Sequence, residues 1–171
     1  MATLSTQLAR AKAALLAAAP RITETSLQTL LTLMTLRIQR DGLPGKSYST
    51  KEVNTSWFKA NALNEAGRTY AKNNKLGTWE GFRQAQGLPG NPVNLTYSGG
   101  MFRSLTTAQA GSSGTVFKAK LVAADTESAD KVKGNQKRYG DFLQPNTAEV
   151  AASRDYVRAE AQRLIKQALN G

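Results

Sequence analysis

Residues 101–123 read MFRSLTTAQAGSSGTVFKAKLVA, and this stretch decides the fold class. Two strand-like runs, 101–110 and 115–123, flank Gly111-Ser112-Ser113-Gly114, a small flexible turn, so the spacing predicts an antiparallel hairpin. In the second run Phe117, Ala119, Leu121 and Ala123 alternate with Val116, Lys118, Lys120 and Val122. Successive strand side chains point to opposite faces, which puts the first set inside and both lysines outside. Downstream, residues 146–170 read as a long helix. Asn146 and Glu149 make a capping-box-like start, and Val150, Val157, Ala161, Leu164, Ile165 and Ala168 share one face. Residues 128–138 between them read as a short helix or a loop.

Upstream of the hairpin the pattern is helical. Residues 3–19 carry Leu4, Leu8, Leu15 and Leu16 on one side, and Pro20 is expected to end that helix. Residues 23–40 read as a second helix, with Leu27, Leu30, Leu31, Met34 and Ile38 at helical spacing and Leu33 and Leu36 widening the stripe. Residues 42–52 are a loop. Residues 53–75 mix Trp57, Phe58, Leu63 and Tyr70 with several Asn, and read either as a helix broken at Gly67 or as an ordered loop wrapped on a neighbour. Residues 78–86 form a short helix, with Thr78 as N-cap and Gly87 as its stop. Together these give an α+β fold: N-terminal helices, a small antiparallel β-sheet, and a long C-terminal helix packed on the sheet. The length fits one domain over 1–171, with a helical region at 1–45 and an α+β core at 46–171.

Composition narrows the chemistry. The chain has no Cys and no His, which removes disulfides, thiolate chemistry, the commonest metal ligand and the commonest general base. Its 12 carboxylates form no ligand-like cluster. We therefore expect no enzyme activity, no catalytic residues, no metal and no cofactor. Residues 40–47, RDGLPGKS, miss a P-loop by the first Gly, and a helix rather than a strand precedes them. No run of apolar residues reaches transmembrane length, and the Ala-rich segment at 13–19 reads as a helix rather than a leader.

The charge is +11, from 23 Lys and Arg against those 12 acids. Such a balance points to a polyanionic partner, either nucleic acid or an acidic protein surface. The candidate interface residues are Lys118 and Lys120 on the hairpin, and Lys131, Lys133, Lys137 and Arg138 in the densest basic group. Trp57-Phe58 and Trp79-Phe82, near Lys59 and Arg83, have the composition of stacking platforms for single-stranded nucleic acid. Aromatics at helical spacing are more often core, and Trp79 and Phe82 are read here as core anchors.

The segment 76–105, LGTWEGFRQAQGLPGNPVNLTYSGGMFRSL, adds a family likeness. An aromatic-rich helix, a Pro-Gly turn, an Asn-Leu step and a Ser-Gly-x-Met-hydrophobic run follow one another. The chain resembles the neck and tail-completion proteins of tailed bacteriophages, which join head to tail in virion morphogenesis. The matching residues are Tyr48-Ser49 and Lys51; Ala62-Leu63-Asn64 with Ala66-Gly67; Trp79 with Phe82-Arg83; Gly87-Leu88; Val93-Asn94-Leu95; and Ser98-Gly99 with Met101-Phe102. A second match joins Arg138-Tyr139-Gly140 to Asp141-Phe142-Leu143 and Pro145, ahead of the C-terminal helix. The likeness covers residues 47–169. It implies a homo-oligomeric ring of six or twelve subunits around the DNA path, docked to a head connector or adaptor and to tail proteins, with non-specific contact to passing DNA and none to membrane. It also implies a place in the virion, after synthesis in the bacterial host cytoplasm. The alternative is a small basic nucleic-acid-binding protein.

Overall fold

The computed structural model describes residues 3–170. In chain order the elements are α1 (Leu4–Asp41), β1 (Val53–Asn54), α2 (Ser56–Ala60), α3 (Glu65–Asn73), β2 (Leu76–Gly77), α4 (Trp79–Ala85), α5 (Gly100–Arg103), β3 (Leu105–Ser113), β4 (Val116–Ala123), α6 (Thr126–Tyr139) and α7 (Thr147–Asn170). The class is α+β, with two small antiparallel sheets and a long C-terminal helix packed against the hairpin sheet. The chain folds as two compact units, each assembled from separated segments. One comprises Met1–Met34, Ser104–Ala129 and Leu143–Gly171; the other comprises Thr35–Arg103 and Asp130–Phe142.

The first unit is organised by α1 and α7, which run antiparallel. Gln7 Nε2 donates to the Leu169 carbonyl at 3.2 Å, Arg21 Nη2 to Glu160 Oε1 at 2.6 Å, and the Ser26 and Ser153 hydroxyls meet at 2.5 Å. Thr107 on β3 donates to Gln28 Oε1 at 3.4 Å, which ties the hairpin to α1. Ala11, Ile22, Leu31 and Leu105 are buried in this unit. The capping box expected at α7 is complete: Asn146 N donates to Glu149 Oε2 at 2.7 Å, and Glu149 N donates to Asn146 Oδ1 at 2.9 Å.

Pro20 does not end a helix. It sits inside α1, so the two expected helices are one. Pro removes one amide donor and crowds the carbonyl four residues back. Here that carbonyl belongs to Leu16, a residue at the surface. Ala17, Ala18 and Ala19 give the adjoining turn the highest intrinsic helix propensity.

The hairpin forms as expected on β4, where Lys118 and Lys120 are exposed and Phe117, Ala119, Leu121 and Ala123 half-buried. Its ends differ from the expectation. The ladder continues to Ser113 opposite Val116, so the turn is Gly114-Thr115 and not the four residues 111–114. The register shifts between Gln109 and Gly111, leaving Ala110 as the extra residue of a bulge, and Gly111 accommodates it at φ +101°. Residues 101–104 are not strand. Met101 and Phe102 are both buried, and consecutive residues of a strand covered on one face cannot both point inward. They lie on the short helix α5 instead.

The second unit is built on aromatic packing. Phe58 on α2 and Phe82 on α4 stack face to face, with centroids 4.5 Å apart and planes 6° from parallel. Ala71 completes their buried cluster, with Ala62, Tyr70, Trp79 and Tyr97 packed around it. The segment 53–75 is thus neither a broken helix nor a loop. It is a two-residue strand and two short helices, pinned where buried Thr55 donates its hydroxyl to the Ala71 carbonyl at 3.0 Å. Gly67 does not break α3. Its missing side chain admits Gln86, whose Cδ would lie 2.6 Å from an added Cβ. Gln86 in turn accepts from Leu63 N at 2.7 Å and donates to the Phe82 carbonyl at 3.1 Å. Thr78 caps α4 by accepting from Gly81 N at 3.0 Å. The loop after α1 is held to its own chain, with Leu43 N donating to the Val93 carbonyl at 2.7 Å. Gly42 makes that turn at φ +74°, where an added Cβ would also run into Pro92.

Candidate docking cleft

The second unit carries a cleft of about 470 Å³. Its floor is a buried polar network that begins at Arg83. This residue stands near the end of α4 with 1% of its surface exposed. Its Nε donates to the Pro89 carbonyl at 2.9 Å, Nη1 to the Thr96 carbonyl at 2.7 Å, and Nη2 to Asn94 Oδ1 at 3.0 Å. The guanidinium also lies over the Tyr48 ring, 4.1 Å from its centroid. Tyr48 Oη donates to Asn94 Oδ1 and accepts from Leu95 N, both at 3.1 Å. The second of these bonds holds Leu95 at a positive φ of 53°, uncommon for a non-glycine residue.

Arg83 meets carbonyl and amide oxygens but no carboxylate. Burial pulls its pKa down, while Tyr48 and Tyr97, themselves pushed up by burial, lie close enough to favour its charge. A buried cation held by neutral dipoles leaves uncompensated positive charge at the base of the cleft.

One wall is aromatic. Trp57 leans on Trp79, with centroids 5.6 Å apart and planes at 56°, and Trp79 leans on Tyr97 at 5.1 Å. The core expectation holds for Phe58 and Phe82, which are almost fully buried. It fails for Trp57, which is 55% exposed, and only partly holds for Trp79, which is half-buried. The cause is local. On the five-residue α2, Trp57 and Phe58 point about 100° apart, and Phe58 takes the inward direction.

The opposite wall is α6. Lys131, Asn135, Arg138 and Tyr139 line the cleft, and helical spacing aligns the first three on one side of the helix. Of the candidate interface residues, the structure therefore brings Lys131 and Arg138 to this cleft. Lys137 joins them at a shallower adjoining depression. Lys133 is exposed and, two residues on from Lys131, more than half a turn round α6. Lys118 and Lys120 belong to the other unit and are exposed on β4, where Lys118 borders a small pocket with Pro20 and Phe117. Lys51 also lines the cleft, and no Asp or Glu does.

Besides lining residues such as Lys51, Tyr97, Asn135 and Tyr139, the sequence-based site lacked the buried network beneath the cleft: Tyr48, Arg83 and Asn94. Each of these last three appears in the family likeness, but nothing in local pattern marks an arginine on a short helix as buried. Among the described residues, no group of three or more His, Cys, Asp or Glu comes together to hold a metal, and no helix is long and apolar enough to cross a membrane. Compared with known proteins, the chain matches no family, no curated protein and no solved structure.

Proposed function

We propose that the chain is a structural virion protein of a tailed bacteriophage, a head-tail connection subunit of the neck or tail-completion kind. It forms a ring around the DNA path and docks the tail to the capsid connector. The observation that carries this reading is apolar surface left uncovered in both units. Leu4 is 69% exposed and Val116 55% in one; Leu76 is 56% exposed in the other, besides Trp57. Some of these neighbour one another, Leu4 with Leu8 a turn apart on α1 and Val53 with Trp57 on the cleft lining, and adjoining uncovered apolar side chains suit a subunit whose surface is completed by neighbours. The absence of His and Cys and the likeness over residues 47–169 support a role in assembly over catalysis. In a ring, the interface is heterologous and closes by rotation, so each subunit offers two different patches.

Mass measurement of the purified chain, alone and with a head connector, tests the proposal. The expected result is a particle of six or twelve subunits, formed alone or on the connector. A monomer under both conditions would overturn it. The basic nucleic-acid-binding alternative predicts instead DNA affinity that falls steeply from low to moderate salt, as condensed counterions are released.

A further inference from the structure

The cleft has a composition that selects its occupant. Two indole rings and a phenol form an apolar wall, and Lys51, Lys131 and Arg138 stand around it. Arg83 lies beneath with no carboxylate partner. No acidic side chain lines the space. A ligand that fills it must bring apolar bulk and negative charge together.

We propose that this cleft is the docking pocket for an acidic peptide segment of an assembly partner. A Phe, Leu or Ile side chain of that segment lies against Trp57 and Trp79, and its Asp or Glu carboxylates face Lys51, Lys131 and Arg138. The identity of the source, a neighbouring virion subunit, rests on the assembly reading above; the chemistry of the pocket does not.

Single-stranded nucleic acid is the rival occupant, and the geometry favours it less. A single strand is held by a continuous basic groove with ring faces open to successive bases. Here the volume of about 470 Å³ falls in the range of small-ligand pockets. The two indoles are tilted 56° against each other and do not present parallel faces. Acidic residues adjoin the basic ones along the chain: Glu52 follows Lys51, and Asp130 precedes Lys131. Such alternation breaks up a phosphate track but leaves room for a short, register-specific peptide.

The chain carries its own reporter. It has two tryptophans, and both line this cleft. Capped pentapeptides with two to four Asp or Glu around a single Phe, Leu or Ile are titrated while intrinsic fluorescence is recorded. Their Gln and Asn counterparts and a twelve-nucleotide oligothymidine serve as comparisons. The expected result is a saturable change with acidic peptides and binding about tenfold or more weaker with the amide versions. A Lys131→Ala/Arg138→Ala double variant, whose sites are exposed on α6, should show a similar loss at unchanged melting temperature, because exposed charges contribute little to stability. Three outcomes overturn the proposal: no saturable change with any acidic peptide, equal binding of acid and amide forms, or saturation by the oligonucleotide alone. Ring formation is read by mass and this pocket by fluorescence, so the two proposals fail separately.

Discussion

Arg83 shows how much one side chain can organise. Its forked guanidinium joins the Pro89 and Thr96 carbonyls and the Asn94 side chain, three points on the loop that follows α4. Lysine keeps the charge but has no planar fork to span these acceptors. Arg83→Lys should therefore destabilise the protein by about 1.5–3 kcal/mol, the range for lost hydrogen bonds to a charged group. Urea denaturation would measure it, and an unchanged midpoint would contradict this account. The burial of Arg83 was not legible in the sequence. Its partners are loop oxygens placed by turns between residues 87 and 96, and tertiary placement of carbonyls leaves no side-chain pattern to read. Glu160 gives a second prediction. Arg163 and Arg21 both donate to it and hold its carboxyl at a pKa of about 2, below the ordinary 4.5. A lowered folded-state pKa contributes stability that is fully present above the ordinary value and lost as pH falls toward about 2. The melting-temperature gap between wild type and Glu160→Gln should thus close as pH drops through that window. A gap that stays constant would mean the ion pairs contribute nothing.

Helices and strands with complete local signals were the legible elements. The α7 boundary followed from Asn146 and Glu149, whose reciprocal bonds satisfy two otherwise open amides. Thr78 announced α4 in the same way, and alternation along 116–123 announced β4 and its outward lysines. The failures share one cause: a strong local signal was overridden by what packs beside it. Gly67 looked like a break and is a notch for Gln86. Met101 and Phe102 looked like strand and need consecutive burial. Pro20 looked like a terminator and lies within a helix of 38 residues. The last case is testable. Pro20→Ala restores an amide donor and removes a ring from the helix interior, and should raise stability by about 1–3 kcal/mol. A lowered urea midpoint would show that the ring's place beside Phe117 outweighs the missing hydrogen bond.

At the scale of the whole chain, composition spoke about partners and not about the site. A charge of +11 with no His and no Cys narrows the chemistry, and the uncovered apolar side chains agree with a subunit finished by its neighbours. Which lysines converge was legible only in part. Lys131 and Arg138 reach one cleft because α6 carries them on one side, whereas Lys118 and Lys120 are fixed to a hairpin in the other unit. The way the units share the chain bears on biosynthesis. The stacked Phe58–Phe82 core comes from one contiguous stretch and can gather soon after that stretch leaves the ribosome. The α6 wall of the cleft arrives some fifty residues behind Phe82. The first unit waits longest, since α1 emerges first and its antiparallel partner α7 last among the described elements. Until then Arg21 and Ser26 on α1 lack the Glu160 and Ser153 side chains that they meet in the finished fold. The face of α1 that meets α7 must wait for a partner 127 residues further along the chain, the distance from Ser26 to Ser153.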